Sequence, residues 1–370
     1  MSQAKPFECR WGILATGWIA TVFSKDLVLD PTTRGVTDVV HTIAAAASSN
    51  SVSRARTFLS DVGAAGATAY GSYAELVADG NVDVIYVATP HSHHFEHCLL
   101  ALQAGKNVVC EKPFTVNAAQ LKILVQMARE KKVFMMEAVW TRFFPISVEV
   151  RRLINSGEIG EVRRVTAEMN QAQDPDVKYK DGMHRMVNPD LAGGTLLDLG
   201  IYSLTWVYQC LYHTLSASEK ASSAPSVIGT ISRFELTGVD AENVVVSTFP
   251  KSIGIATSSI RIATDPDDSG RPAIRISGTK GEIQVAHPAY RPEKLTIIKL
   301  GGGVEEKAFP IPAGHGMFWE ADGAARALRD GKLECETMPL DESILIMEAM
   351  DKVRYDNGFL YPKAIEKTDH

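Results

Sequence analysis

A chain of 370 residues is longer than one ordinary domain and fits two, each large enough to bury its own core. With 45% hydrophobic and 22% charged residues it has a soluble, globular composition that argues against disorder, and a net charge of -6 with no clustered Lys or Arg argues against a nucleic-acid surface. Five scattered cysteines (Cys9, Cys98, Cys110, Cys210, Cys335) read as reduced thiols, the opening MSQAKPFECR lacks a signal-peptide core, and no run approaches the roughly 18 apolar residues of a membrane span. The expected compartment is the cytosol, with no membrane partner.

In chain order, WGILATGWIA (11–20) predicts a strand running into small residues, followed by a helix over TVFSKDLVL. A second strand is expected at 41–49 and a helix over SVSRARTFLSDVG. Helices at Tyr73–Ala78 and Phe95–Ala104 then alternate with strands at Val82–Ala88 and Asn107–Cys110, and a helix at 117–131 precedes a strand at 133–138. Strands separated by helices of this length imply right-handed crossovers and a doubly wound parallel sheet over residues 1–141. From 142 to 370 the texture changes. A helix at PISVEVRRLINSG gives way to short alternating runs such as VRRVTAEMN, SVIGTISRFEL, NVVVSTFP, SIGIATSSIRI and KLTIIKLG, and helices near 317–329 and 341–355 close the chain. Alternation with short connections predicts an α+β domain around a large, mostly antiparallel sheet.

The dinucleotide pattern G-x-G-x-x-G/A falls on Ala15, Gly17 and Ala20, with Thr16, Trp18 and Ile19 between them. Small residues there allow a tight turn and let the backbone approach a pyrophosphate at the helix N-terminus. At the end of the second strand, SSNSVSR offers Ser48, Ser49, Asn50, Ser51 and Arg54 and no acid. Hydroxyls, an amide and a guanidinium receive a 2′-phosphate that a carboxylate would repel, so the expected cofactor is NADP.

The stretches WGILATGWIA, VATPHSHHF, AGKNVVCEKPFTVN, MEAVWTRFFP and GGTLLDLGIYSLTWV, in this order, resemble the Gfo/Idh/MocA oxidoreductase family, and in particular its dihydrodiol dehydrogenase and aldopentose dehydrogenase branch. The likeness spans nearly the whole chain. Ala15 departs from the usual glycine. The resemblance implies NADP-dependent oxidation of C1 of a cyclic aldose, D-xylose to D-xylono-1,5-lactone, by a homodimer. A trans-dihydrodiol substrate is the alternative, and a non-catalytic nucleotide-sensing regulator is the rival of another class.

By the same resemblance Lys112 projects toward substrate and nicotinamide. Pro113 shapes a turn whose peptide is expected to be cis, and Thr89, Pro90, His91 and His94 border the nicotinamide ribose. Glu111, although placed along the cofactor, reads first as a structural partner. Tyr202 is a plausible base for the hydroxyl proton if a cation such as Lys112 lowers its phenol pKa. Asp198, four residues earlier, shares its helix face and could orient the sugar or the lysine. Each has a plainer reading: Tyr202 as a core tyrosine, Asp198 as a helix cap, Lys112 as a solvated turn residue. Trp140 and Arg142 can stack on and hydrogen-bond a pyranose or line the cofactor, and His184 and Arg185 reach the sugar from the second domain. His91, His93, His94 and His97 invite a metal reading, but no further ligand or carboxylate at zinc spacing accompanies them, and none is expected.

Overall fold

The computed structural model describes residues 5–369, so the start of the N-terminal segment read above, residues 1–4, lies outside it. Two compact units form: the chain up to Trp140 with Ile311–Ser343 and the residues from Thr368, and Thr141–Pro310 with Ile344–Lys367.

The first unit runs β1 (Phe7–Leu14), α1 (Trp18–Leu27), β2 (Val39–Ala47), α2 (Val52–Asp61), β3 (Thr68–Tyr70), α3 (Tyr73–Ala78), β4 (Val84–Val87), α4 (His94–Gln103), β5 (Asn107–Glu111), α5 (Ala118–Lys131) and β6 (Met135–Ala138). Its six strands are all parallel, in the order β3-β2-β1-β4-β5-β6. β4 is buried along its whole length and β5 at all but its first residue, as continuous apolar runs such as VIYV demand in a sheet flanked by helices. The strand order reverses between β1 and β4, and in such sheets ligands bind beyond the carboxyl ends of the strands at that point.

The second unit runs α6 (Pro145–Asn155), β7 (Val162–Asn170), α7 (Pro175–Lys178), α8 (Ile201–Leu211), α9 (Ala217–Lys220), β8 (Ser226–Arg233), β9 (Asp240–Thr248), β10 (Ile253–Ser259), β11 (Pro272–Gly278), β12 (Gly281–Ala286), β13 (Lys294–Lys299) and β14 (Val304–Ala308). The eight strands form one sheet, β14-β13-β12-β11-β7-β10-β9-β8, antiparallel except where β10 lies parallel to β7. Every residue of α8, IYSLTWVYQCL, is buried, and the helix packs on β7, β10 and β11. Along β8 to β10 alternate residues point away from it.

The chain then returns. α10 (Phe318–Arg329) belongs to the first unit, where it packs on α1, β1 and β2, while most of α11 (Leu340–Asp356) and all of α12 (Lys363–Glu366) belong to the second. A single boundary near 141 therefore does not describe the chain. The reason is a set of buried ionic contacts: Arg34 forks onto Asp322 at 2.7 and 3.1 Å, and His41 Nε2 meets the same carboxylate at 2.9 Å. Trp11 Nε1 donates to His41 Nδ1 at 3.1 Å, so the neutral His41 carries its proton on Nε2 and donates to Asp322.

Candidate active site

In the first unit the expected cofactor residues lie past the carboxyl ends of β1, β2, β4 and β5. Ala15 donates its amide to Ala47 O at 3.2 Å and holds φ at +91°, a left-handed conformation that explains why glycine is usual there. Gly17 is the N-cap of α1; no side chain closes that helix start, and a Cβ at 17 would meet nothing within 4 Å. Donors and room for a pyrophosphate are thus both present. Beside them a cavity of about 350 Å³ is lined by Thr16, Thr21, Ser53, Arg54, Thr57, Phe58 and Asp61. Arg54, Ser49 and Asn50 are exposed, and the Ser51 hydroxyl caps α2 by accepting from the Arg54 amide at 3.2 Å. The donor set fits NADP: the nearest acid of that helix, Asp61, comes only at its far end.

At the end of β5, Lys112 is half-buried and the Lys112–Pro113 peptide is cis. Buried groups hold this turn. Glu111 accepts from the Tyr86 hydroxyl with Oε1 and from the Lys112 amide with Oε2 at 3.2 Å, and Glu137 accepts from the Phe114 amide at 3.0 Å. His94 is wholly buried, with Nδ1 2.8 Å from Pro113 O and Nε2 2.8 Å from Thr89 O. It therefore ties the β4 loop to the lysine turn and offers no ring edge to a ligand. Burial pushes His94 down to about 3, against the two carbonyl acceptors that favour its charged form, and pushes His97 down to about 4. His93 stacks on His97 at 5.7 Å and His91 meets His94 edge-on at 5.8 Å. Pro90 is exposed and opens the short 3-10 turn His91–His93. Among the described residues no three His, Cys, Asp or Glu side chains gather as a metal ligand set.

In the second unit, Asp198 sits in a π-helical turn, Leu196–Gly200, that leads into α8, and Tyr202 follows in the first turn of α8. The regular helix assumed for the Asp198–Tyr202 spacing is thus replaced by a wider turn, of a kind frequent at functional sites. Arg185 reaches Asp198 Oδ1 at 3.3 Å, and its charge is stabilised first by Asp198. His184 is exposed and stacks on Tyr179 at 4.3 Å, and the Tyr202 ring lies 5.9 Å from that of Tyr290. His184, Arg185 and Asp198 thus form one group beside Tyr202, whereas Lys112 belongs to the other unit. Trp140 is buried, the last residue of the first unit's opening segment. Arg142 is also buried: its Nη2 donates to His213 Nδ1 at 2.8 Å and its carbonyl accepts from Arg151 at 3.0 Å. Tyr179 and Tyr290 escaped sequence reasoning because they stand in loops without periodicity.

The model of the oxidoreductase family with an NAD-binding Rossmann fold matches residues 9–139, and that of the GFO/IDH/MocA C-terminal domain matches 147–284. The chain belongs to the Gfo/Idh/MocA family. It resembles enzymes along nearly all its length. It is 52% identical to a D-xylose 1-dehydrogenase (NADP+) of Hypocrea jecorina, over 99% of this chain and 96% of that protein. It is 34% identical to the trans-1,2-dihydrobenzene-1,2-diol dehydrogenase of Homo sapiens, over 96% and 98%. Among solved structures, an aldose-aldose oxidoreductase from Caulobacter crescentus shares the fold with a TM-score of 0.75 at 20% identity, covering 94% of this chain and 98% of that one.

Proposed function

We propose that this protein is an NADP-dependent aldose 1-dehydrogenase that oxidises D-xylose at C1 to D-xylono-1,5-lactone. The observation that carries this reading is the 52% identity, over 99% of the chain, to a D-xylose 1-dehydrogenase (NADP+). Arg54, standing in a helix that follows β2 without an intervening acid, supports the choice of NADP over NAD.

NADP+, when bound, accepts the hydride from C1. The chain's own groups handle the proton and the sugar. Tyr202 takes the proton from the C1 hydroxyl as the carbonyl forms, and Lys112 lends positive charge at the nicotinamide end of the first unit. Asp198, which accepts from Arg185 at 3.3 Å, also accepts a sugar hydroxyl. His184 and Arg185 donate to further hydroxyls, and Trp140 supplies an apolar plane for the pyranose. Thr89, Pro90, His91, Glu111 and Pro113 shape the wall along the nicotinamide, with His94 behind them.

The test is cofactor reduction by the purified protein, read at the reduced-cofactor band with NADP+ or NAD+ and a panel of pentoses, hexoses and dihydrodiols. D-Xylose with NADP+ is the expected pair. Turnover of trans-dihydrodiols alone would favour the second reading, which the 34% identical diol dehydrogenases support; silence with every substrate would sink the enzyme reading. Lys112→Met is expected to lower kcat about 1000-fold while leaving NADPH binding within about threefold.

We also propose a homodimer in the cytosol. Ile228, Val246 and Ile255 lie in register across β8, β9 and β10 on the outer face of the large sheet, with Val244 and Ile253 beside them. A β-branched apolar patch of this kind marks a protein interface. The five cysteines are buried thiols with no disulfide among the described residues, which agrees with a reducing compartment.

A further inference from the structure

Asp240 opens β9 and is wholly buried, yet it meets no cation among the described residues. Instead its Oδ2 accepts three hydrogen bonds: from the Thr195 hydroxyl at 2.6 Å, the Leu196 amide at 2.6 Å and Asn243 Nδ2 at 3.1 Å. Its Oδ1 has no partner and presses on Gly194, where a Cβ would stand 2.1 Å away. Asn243 Nδ2 also reaches Thr195 Oγ1 at 2.9 Å and Ser258 Oγ at 2.6 Å, and the Ser258 hydroxyl donates to Thr195 O at 3.3 Å. A buried carboxylate is costly unless donors surround it, and here every donor comes from the first residues of one helix or from the strands beneath it.

That helix is the one carrying the site. Leu196 is the first residue of the π-helical turn; Asp198 comes two residues later, and Tyr202 lies in the turn after. The carboxylate sits where the helix N-terminus presents unsatisfied N–H groups and positive charge. The same point anchors the polar loop. Gly194 donates to Met186 O at 2.8 Å, next to His184 and Arg185, and Gly193 O accepts from the Tyr361 hydroxyl at 2.6 Å. Glycine at 194, with φ +121°, is what lets the loop and the carboxylate share the space.

We infer that Asp240 is a positioning residue: it fixes the register and direction of the helix start that presents Asp198 and Tyr202, and through Gly194 the loop that presents His184 and Arg185. The inference rests on the proposed oxidation for its kinetic consequence and on the bonds above for its structural one. Misplacing reacting groups by about 1 Å costs up to a hundredfold in rate, whereas NADP binds the first unit.

The test compares Asp240→Ala with Asp240→Asn, which keeps an acceptor for the Leu196 amide and the Thr195 hydroxyl. In Asp240→Ala that circular dichroism shows to be folded, kcat/KM for D-xylose falls about tenfold or more while NADPH affinity, read by its fluorescence, stays within about twofold. Asp240→Asn recovers most of the loss. Amide exchange at 196–202 rises in the alanine variant ahead of the rest of α8. If Asp240→Ala does not fold, Thr195→Val, which removes one of the three bonds, is expected to lower kcat/KM about threefold with the same rise in exchange. Wild-type kinetics and exchange in the folded variant, a loss that asparagine does not recover, or a parallel loss of NADPH binding would overturn the inference. Exchange needs no substrate, so a wild-type protein inert toward D-xylose would refute the proposed function and leave the exchange comparison to decide the role of Asp240.

Discussion

Ala15 occupies a backbone conformation that costs a side-chain-bearing residue about 1–2 kcal/mol, so the turn after β1 holds a small strain where glycine is usual. Ala15→Gly relieves that strain but loosens the unfolded chain by about 0.4–1 kcal/mol, leaving a net gain between about 0 and 1.6 kcal/mol in urea unfolding. Ala15→Val, β-branched at positive φ, is expected to lose about 2 kcal/mol or more in the same measurement. Arg54 is the residue on which cofactor choice turns. Arg54→Ala removes charged hydrogen bonds to the 2′-phosphate worth about 2 kcal/mol, so NADPH binding by fluorescence titration weakens roughly thirtyfold while NADH binding changes little. An equal loss for both cofactors would show that Arg54 does not read the 2′-phosphate. Arg54 is proposed from its place after the second strand, and Lys112 and Tyr202 from the family resemblance. Tyr86, which hydrogen-bonds Glu111, was not legible, since within VIYV it reads only as another apolar strand residue.

Helix α10 packs against the parallel sheet of the first unit although it is encoded after the strands of the second. Its N-terminal approach is pinned by Asp26, which accepts the amides of His315 and Met317 at 2.8–3.1 Å, so the GHGMFWEAD segment serves structure. The next turn carries Glu320, wholly buried, with neither carboxyl oxygen partnered. Burial, with Glu111 and Asp26 adding repulsion, raises its pKa well above the carboxylate range and keeps it protonated. The folded state thus holds a proton that the unfolded state releases above about pH 4.3. The stability this contributes is complete below that pH and is lost as pH rises, by about 1.4 kcal/mol per unit until the folded pKa is reached. Glu320→Gln removes the titration. Its stability relative to the wild type, from urea unfolding, should climb as pH rises above about 4.3; a constant difference would contradict a raised pKa at Glu320. At this scale sequence reasoning found the long helices and the buried strands. It missed β14, whose VEEKA is a charged edge strand paired only with β13, and the π-helical turn, which leaves no mark on spacing.

Across the whole molecule the two units have different surfaces to manage. The parallel sheet is packed by helices, while the large sheet leaves an outer face bearing Ile228, Val244, Val246, Ile253 and Ile255. If that face joins two copies, Ile255→Arg sets a charge within a desolvated patch and should turn a dimer into a monomer in sedimentation, with the first unit's NADPH binding intact. A wild-type monomer would end the proposal.

The sequence by itself determined the number of units, the parallel order of the first and the mostly antiparallel character of the second, because hydrophobic periodicity and crossover length are local quantities. It also pointed to the small-residue turn after β1 and to Arg54 after β2, which follow strand ends closely, while the role of Lys112 came from the family resemblance. Only the tertiary structure decided that α10 belongs with the first unit, that His94 and Arg142 are buried, and that Asp240 accepts from the helix start bearing Asp198 and Tyr202. Those pairings join residues separated by tens to hundreds of positions. They arise from buried polar groups finding partners in space, and no local pattern in the chain encodes that choice.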